Sequence, residues 1–313
     1  MAKVIKPRAL VAGGAVRVVS PASAPERSAF GRGVAELERI EYRVRLASPE
    51  MRADGYFAGP LARRAAELKA ALLDSESQAI VCARGGYGSA AVLDKLDLRR
   101  APRPKLVVGY SDITMLHAYL WRRWRWAALY GPMVAMGFDG GSDRPGGYDR
   151  PSWLDAASGA RRQWKIGLGG EALFRGEATG VVLGGCLALL QTTLGTPWEL
   201  ETRGAILLLE DVGVKPYQVD RMLVHLAQAG KFRGVRGIIL GEFPESPAGN
   251  NRITVRDVCR RLLGPLRVPV VFGAAVGHTP RPMLTVPLGV RARLIASGEG
   301  KLEILETAVS RSG

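Results

Sequence analysis

One serine stands where an apolar, β-rich run breaks into a helical pattern: Leu106-Val107-Val108-Gly109-Tyr110-Ser111-Asp112-Ile113-Thr114. A tight strand-to-helix turn of this kind, a nucleophile elbow, pushes a serine hydroxyl out at the end of a sheet. The amides that open the following helix can stabilise negative charge developing on a reacting oxygen. The five-residue G-x-S-x-G form is absent, because Ile113 fills the last glycine position. The plainer alternative is a serine N-cap with Asp112 in the first turn.

A nucleophilic serine needs a base, and the chain holds 3 His. His117 lies six residues beyond Ser111, which on a helix is about 240° around the axis and about 9 Å along it, out of easy reach. His225 falls in Val219–Ala229, whose spacing of Val219, Met222, Leu223 and Leu226 predicts an amphipathic helix. Both fit packing or surface positions. His278 follows the strand-like run Val268–Val276 and precedes Thr279-Pro280-Arg281-Pro282. Two prolines so close together continue neither strand nor helix, so His278 stands on a loop at a strand end. Chemistry in α/β proteins is kept at such carboxyl ends.

An orienting acid follows by similar logic. The apolar run Ala205–Leu209 has the length of a buried strand and is stopped by Glu210 and Asp211. A carboxylate there must be paired or hydrogen-bonded, and a histidine Nδ1–H is a suitable partner. The local pattern leaves both acids open, as well as a solvated strand terminus. The glycine-rich Arg84-Gly85-Gly86-Tyr87-Gly88-Ser89 lets backbone amides approach a ligand without a Cβ in the way. It suits an oxyanion loop or a phosphate cradle, although neither G-x-x-x-x-G-K-[ST] nor G-x-G-x-x-G with its distant acid is present.

Taken together, Arg84-Gly-Gly-Tyr-Gly88, Gly109-Tyr-Ser-Asp-Ile-Thr114, Leu209-Glu-Asp-Val212 with Asp220-Arg-Met-Leu223, and Gly277-His-Thr279 resemble the LD-carboxypeptidase family of serine peptidases. That family comprises the muramoyltetrapeptide carboxypeptidases, with the microcin C resistance hydrolases as relatives. The resemblance runs from Val16-Arg-Val-Val-Ser-Pro21 to about Gly289, and four motifs in order make it specific. It implies Ser111 as nucleophile, Glu210 rather than Asp211 as the acid, and His278 as the base. It implies an oxyanion hole from the Asp112 and Gly86 amides. The implied reaction releases the terminal D-alanine of a murein tetrapeptide, a small peptide substrate, by peptidoglycan-recycling chemistry that needs no cofactor or metal. Arg84 and Arg281, the arginines nearest the active motifs in sequence, are the candidates for the substrate's terminal carboxylate.

One departure stands in Gly184-Gly185-Cys186-Leu187, where the family usually reads G-G-N-L. Asparagine makes several hydrogen bonds that a thiol cannot reproduce. A cysteine nucleophile is the sharper reading of Cys186, but no histidine or cation lies beside it in sequence to lower its pKa. The three cysteines, Cys82, Cys186 and Cys259, are odd in number and widely spaced, which argues against a disulfide framework or a CxxC site and favours a reduced, cytoplasmic setting.

The net charge of +15 invites a nucleic-acid reading. Basic clusters occur at Arg99–Lys105, Arg122–Arg125, Arg161–Lys165 and Arg260–Arg267, and Trp121-Arg-Arg-Trp-Arg-Trp126 interleaves aromatics with arginines. Trp121 and Trp124 nevertheless continue the helical spacing of Ile113 and Leu120, and the clusters are scattered. A solvated basic surface is the expectation, without a nucleic-acid partner, and its field would draw in an anionic peptide. Lys3, Lys6 and Arg8 before Ala9–Val16 imitate a signal peptide, but this apolar run is short and flows into a strand, so it reads as a leading tail. No run reaches the roughly 18 apolar residues of a membrane span. The chain is compatible with a homodimer.

These residues require elements to hold them. Strands are expected at Arg17–Ser20, Gln78–Ala83 and Leu106–Gly109, and helices at Arg32–Ile40, Leu61–Leu73, Ala90–Leu96 and Asp112–Arg123. Their alternation implies a parallel sheet in a layered α/β domain. From Phe138 the composition turns to Gly, Asp, Ser and Pro, that of a mobile connection over 139–165. The length of 313 residues accommodates two domains. The expected fold is α/β, with a flavodoxin- or Rossmann-like parallel-sheet domain over 1–165 that bears the nucleophile. A smaller, swivelling-type α/β domain over 166–313, with shorter strands and one clear helix, supplies the glutamate and histidine.

Overall fold

The computed structural model describes residues 3–46, 53–98, 100–249 and 252–311, so Arg99 of the first basic cluster lies outside the described residues. The first half alternates as its pattern requires. In chain order come β1 (Ala15–Val19), α1 (Arg27–Arg39), β2 (Arg43–Leu46), α2 (Leu61–Leu73), β3 (Ala79–Cys82) and α3 (Ser89–Leu93). After these come β4 (Leu106–Gly109), α4 (Thr114–Trp124) and β5 (Ala128–Tyr130). β2, β1, β3, β4 and β5 lie side by side, all parallel. Strands β3, β4 and β5 are buried along their whole length, as expected of a parallel sheet covered by helices.

The second half continues with α5 (Arg150–Ser158), β6 (Trp164–Phe174), β7 (Gly176–Cys186), α6 (Leu187–Thr192), β8 (Ala205–Glu210) and α7 (Pro216–Gln228). It ends with β9 (Gly237–Gly241), α8 (Val255–Leu263), β10 (Val270–Ala274), β11 (Val286–Leu288), β12 (Arg291–Ala296) and β13 (Glu299–Ile304). Seven of these strands close into a barrel in the order β10-β6-β13-β12-β7-β8-β9. β7, β8, β9 and β10 run parallel, and the β12–β13 hairpin inserts antiparallel between β6 and β7. Closure removes the edges that would otherwise present unpaired backbone groups. β11 leaves the barrel and pairs antiparallel with β5, extending the first sheet.

The fold is therefore the expected α/β pair of sheets, but two details differ from expectation. Its C-terminal part is not a region of shorter strands and one helix: β6 and β7 have 11 residues each, and three helices, α6, α7 and α8, are present. Nor is the Gly- and Pro-rich connection a loose linker. The Asp143 N–H donates to Tyr148 O at 2.7 Å, Tyr148 N–H to Gly141 O at 3.1 Å, and Met283 N–H to Gly147 O at 2.9 Å. Tyr148 and Trp153 are wholly buried, and Asp149 caps α5 through the Ser152 N–H at 2.7 Å. Each buried aromatic of this size contributes about 1.5–3 kcal/mol, enough to fasten the segment to the core.

The tryptophan cluster is resolved in favour of packing: Trp121 and Trp126 are buried, and α4 ends where Arg125 adopts φ +55°. Arg125 and Arg123 lie over Trp121 and Trp124 at 5.0 and 5.6 Å. Trp124, between Trp121 and Trp126, is half-buried, so the cluster is mainly a packed helix face. Among the described residues, no helix is long and apolar enough to cross a membrane.

Candidate active site

Parallel strands bring their carboxyl ends to one side, and the candidate residues are collected there. Ser111 follows β4 by one residue and opens a single 3-10 turn, Ser111–Ile113, before α4. Its φ of +59° places a residue with a side chain in the left-handed region. Such strain costs about 1 kcal/mol or more and persists only where surroundings impose it. Gly109 makes the turn possible, since a Cβ there would lie 2.9 Å from the Ile113 side chain. Ser111 is 8% exposed.

The glycine loop lies directly over this turn. A Cβ on Gly85 would come within 2.9 Å of Ser111 Cβ and 3.2 Å of its Oγ, so only glycine permits the approach. Asp112 fastens the loop from one side: its Oδ2 accepts from the Ser89 N–H at 2.8 Å, and its carbonyl accepts from Ser89 Oγ at 2.7 Å. Burial raises the Asp112 pKa, partly offset by these hydrogen bonds. Ser23 holds the other side, donating its N–H to Gly85 O at 3.1 Å and accepting from the Tyr87 N–H at 3.1 Å. Gly86 itself has φ +93°.

Glu210 ends β8 and is 0% exposed. Two glycines make room for it: a Cβ on Gly241 would lie 2.6 Å from Glu210 Cβ, and one on Gly277 would lie 2.3 Å from its Cδ. Oε2 meets His278 Nδ1 at 2.8 Å and accepts from the His278 backbone N–H at 2.9 Å. Burial alone would lower the His278 pKa, but the Glu210 charge and hydrogen bond outweigh it and hold the imidazole above its ordinary 6.5. Asp211, the other acid of the pair, turns away. Its Oδ2 accepts from the Ala188 N–H at 3.0 Å, serving as a cap for α6, and burial raises its pKa.

Ser111 and the Glu210–His278 pair are neighbours through two tyrosines. The Tyr110 ring packs edge-to-face on the His278 imidazole, centroids 5.0 Å apart. The Tyr130 hydroxyl donates to Glu210 Oε1 at 2.5 Å and accepts from the Ser111 N–H at 3.3 Å. No hydrogen bond joins Ser111 Oγ to His278 among the described residues. Tyr130 was missed in the sequence, although a polar ring closing the short apolar strand of Ala127-Ala128-Leu129 before Gly131-Pro132 was a visible signal.

The remaining candidates separate clearly. Arg84 Nη1 donates to Ala24 O at 3.0 Å. Arg281 is more heavily engaged: Nη1 donates to Gly169 O at 2.9 Å, Nη2 to Gly273 O at 2.5 Å, and Nε lies 3.0 Å from Glu242 Oε1. Cys186 is buried at the start of α6, and burial together with the Glu210 charge pushes its thiol far above the ordinary value. Such a thiol is inert. His117 is fully buried in α4, where burial lowers its pKa to about 4, and His225 meets Gln191 at 2.9 Å on the surface. Among the described residues, no three His, Cys, Asp or Glu side chains converge to hold a metal. Cavities of about 230 Å³ beneath Val4 and Trp121 and about 530 Å³ beside Tyr217 are lined by none of the residues above.

Comparison with known proteins gives a consistent result. The profile of the LD-carboxypeptidase N-terminal domain matches residues 16–131, and that of the LD-carboxypeptidase C-terminal domain matches residues 179–294. A Bacillus subtilis protein named "Probable murein peptide carboxypeptidase" is 32% identical over 309 residues, 97% of this chain and 95% of its own. The microcin C7 self-immunity protein MccF of Escherichia coli is 27% identical over 301 residues, 87% of either chain. A solved structure of MccF in complex with glutamyl sulfamoyl guanosine has the same fold, with TM-score 0.87 at 24% identity over 97% of this chain and 99% of its own. The muramoyltetrapeptide carboxypeptidase of Oxalobacter formigenes shares it too, with TM-score 0.78 at 24% identity over 94% of this chain and 99% of its own.

Proposed function

This chain belongs to the LD-carboxypeptidase family, and we propose that it is a serine carboxypeptidase releasing the C-terminal D-alanine of murein tetrapeptides during peptidoglycan recycling in the cytoplasm. The observation that carries the reading is Ser111, strained to φ +59° under the glycine loop and one residue from the tyrosine that packs on a glutamate-bonded histidine. Strain of this kind is retained where it aims a side chain.

In this reading His278 Nε2 takes the Ser111 proton as Oγ attacks the carbonyl of the L,D peptide bond. The Asp112 and Gly86 amides hold the oxyanion. The tetrahedral intermediate collapses as the imidazolium gives its proton to the departing D-alanine amine. Water, deprotonated by the same imidazole, then cleaves the acyl-enzyme and restores the serine. Glu210 fixes the imidazole orientation and balances its charge. Arg84 supports the substrate carboxylate, having one described hydrogen bond where Arg281 makes two to backbone carbonyls and an ion pair with Glu242. The chain divides near residue 165, and the catalytic set is assembled across the two parts.

The similarity to MccF supports a second reading, in which the same machinery cleaves an aminoacyl-nucleotide amide. Incubation with murein tetrapeptide and with an aminoacyl sulfamoyl nucleoside separates the two. D-alanine release that disappears in S111A is expected, and turnover of the nucleoside alone would exchange the readings.

A further inference from the structure

We infer that Tyr130 is a positioning residue whose hydroxyl joins the strained backbone of Ser111 to the acid of the His278 pair. The inference rests on the proposed acyl-transfer reading for its consequence, but not for its geometry.

Three strand ends meet at this hydroxyl: Tyr130 closes β5, Ser111 follows β4, and Glu210 closes β8 in the other sheet. A phenol that water does not reach is costly unless both its donor and its acceptor capacity are used. Here both are, toward Glu210 Oε1 at 2.5 Å and from the Ser111 N–H at 3.3 Å. The ring does not need the hydroxyl to keep its place. It packs edge-on against Tyr110 and His117, with centroids 6.2 Å away in each case.

Two consequences follow. With Oε1 occupied by Tyr130, the carboxylate presents Oε2 alone to His278, which takes both the ring and the backbone donor of that residue. The Ser111 N–H, spent on Tyr130, holds the left-handed turn and is withdrawn from the oxyanion, leaving that task to other amides. Tyr130 therefore acts through its neighbours and touches no substrate.

The variant Y130F removes the hydroxyl and keeps the ring. Losing one hydrogen bond to a buried charged group should lower kcat by about 10- to 100-fold while KM stays within about threefold. The phenol draws charge from Glu210, so its loss concentrates charge on Oε2. The acid limb of the kcat/KM profile and the NMR titration of His278 should then both move to higher pH. His278 is also faced by Asp211, Glu245 and Tyr110; Arg281 lies in its own loop, and Glu242, which follows β9, meets that loop at Thr279 and Arg281; all of these are unchanged in Y130F. In an E210Q background the same change should add little, because the coupling runs through the carboxylate.

An unmoved His278 titration in Y130F, or an equal loss in the E210Q background, overturns the inference. So does a loss of activity with an unshifted profile, which marks a merely structural role. If the wild type cleaves neither acyl substrate, the proposed function fails, and the substrate-independent His278 titration still decides this inference. Should Y130F not fold, isosteric 3,5-difluorotyrosine at 130 strengthens the donor and must move the His278 titration to lower pH; an unmoved titration overturns the inference.

Discussion

His278 presents two donors to a single oxygen of Glu210: its Nδ1 lies 2.8 Å from Oε2, and its backbone N–H lies 2.9 Å from the same atom. The contact fixes the ring, and with Nδ1–H as donor it leaves Nε2 as the basic nitrogen. Because this partner holds the imidazole above its ordinary 6.5, the base becomes competent only at higher pH. The acid limb of kcat/KM should therefore fall above 6.5, and E210Q should move it down while reducing kcat. A raised histidine pKa stabilises the fold fully below the unfolded value, and that gain is lost as pH rises through the folded one. The stability difference between wild type and E210Q should shrink as pH rises above 6.5 through the raised His278 value, measured by urea denaturation. A difference that grows over this range refutes the assignment.

Ser111 predicts opposite responses of stability and activity. S111A keeps a Cβ in the left-handed region and loses the hydroxyl, so hydrolysis should vanish while stability stays nearly unchanged. S111G also relieves the backbone and should gain up to about 1 kcal/mol. Thermal denaturation of both variants checks this, and S111G less stable than S111A would show that the turn is not strained.

How far the sequence carried depends on the range of each signal. The Ser111 elbow and the His278 loop are written in adjacent residues, a strand ending in glycine and a histidine followed by two prolines. The choice between Glu210 and Asp211 is not local. It is made by Gly241 and Gly277, distant glycines whose missing Cβ atoms leave space for one carboxylate. Tyr130 was missed for the same reason, since its meaning lies in the ends of β4 and β8. In the second half, Gly167 and Gly169 fill the exposed positions of β6 where polar residues would mark a strand, Gly170 takes the place of a buried apolar residue, and Gly180 does so in β7. These glycines hid two long strands, because barrel pairing rather than side-chain propensity holds them. The Gly-rich stretch after Phe138 read as a linker on composition, yet Tyr148 and Trp153 within and beyond it are core residues.

Gly277 provides a test of the pocket around the acid. In G277A the new methyl would sit 2.3 Å from Glu210 Cδ on a residue at φ +62°. Backbone strain and overpacking together should cost about 2–5 kcal/mol. The displaced carboxylate should also lose its hold on His278, lowering kcat by at least about 100-fold. Urea denaturation and steady-state kinetics check the two effects, and a variant of native stability would show that the loop relaxes at no cost.

Arg84 and Arg281 should separate in their response to truncation. Arg281 bridges the carbonyls of Gly169 in β6 and Gly273 in β10 and reaches Glu242, so it cross-links the barrel behind the His278 loop. Its side chain is 38% exposed, which reduces the worth of each bond, and R281A should lower stability by about 1–2 kcal/mol. Arg84 makes a single described hydrogen bond, to Ala24 O, from the loop that covers Ser111. R84A should leave stability nearly unchanged and raise KM for a tetrapeptide about 10- to 100-fold, with a smaller effect in R84K, which keeps the charge but not the planar fork. A tetrapeptide amide, lacking the terminal carboxylate, should be indifferent to R84A. If the amide suffers as much as the acid, Arg84 holds the loop and not the substrate; if R281A alone raises KM for the acid, the carboxylate is bound from the histidine side of the cleft.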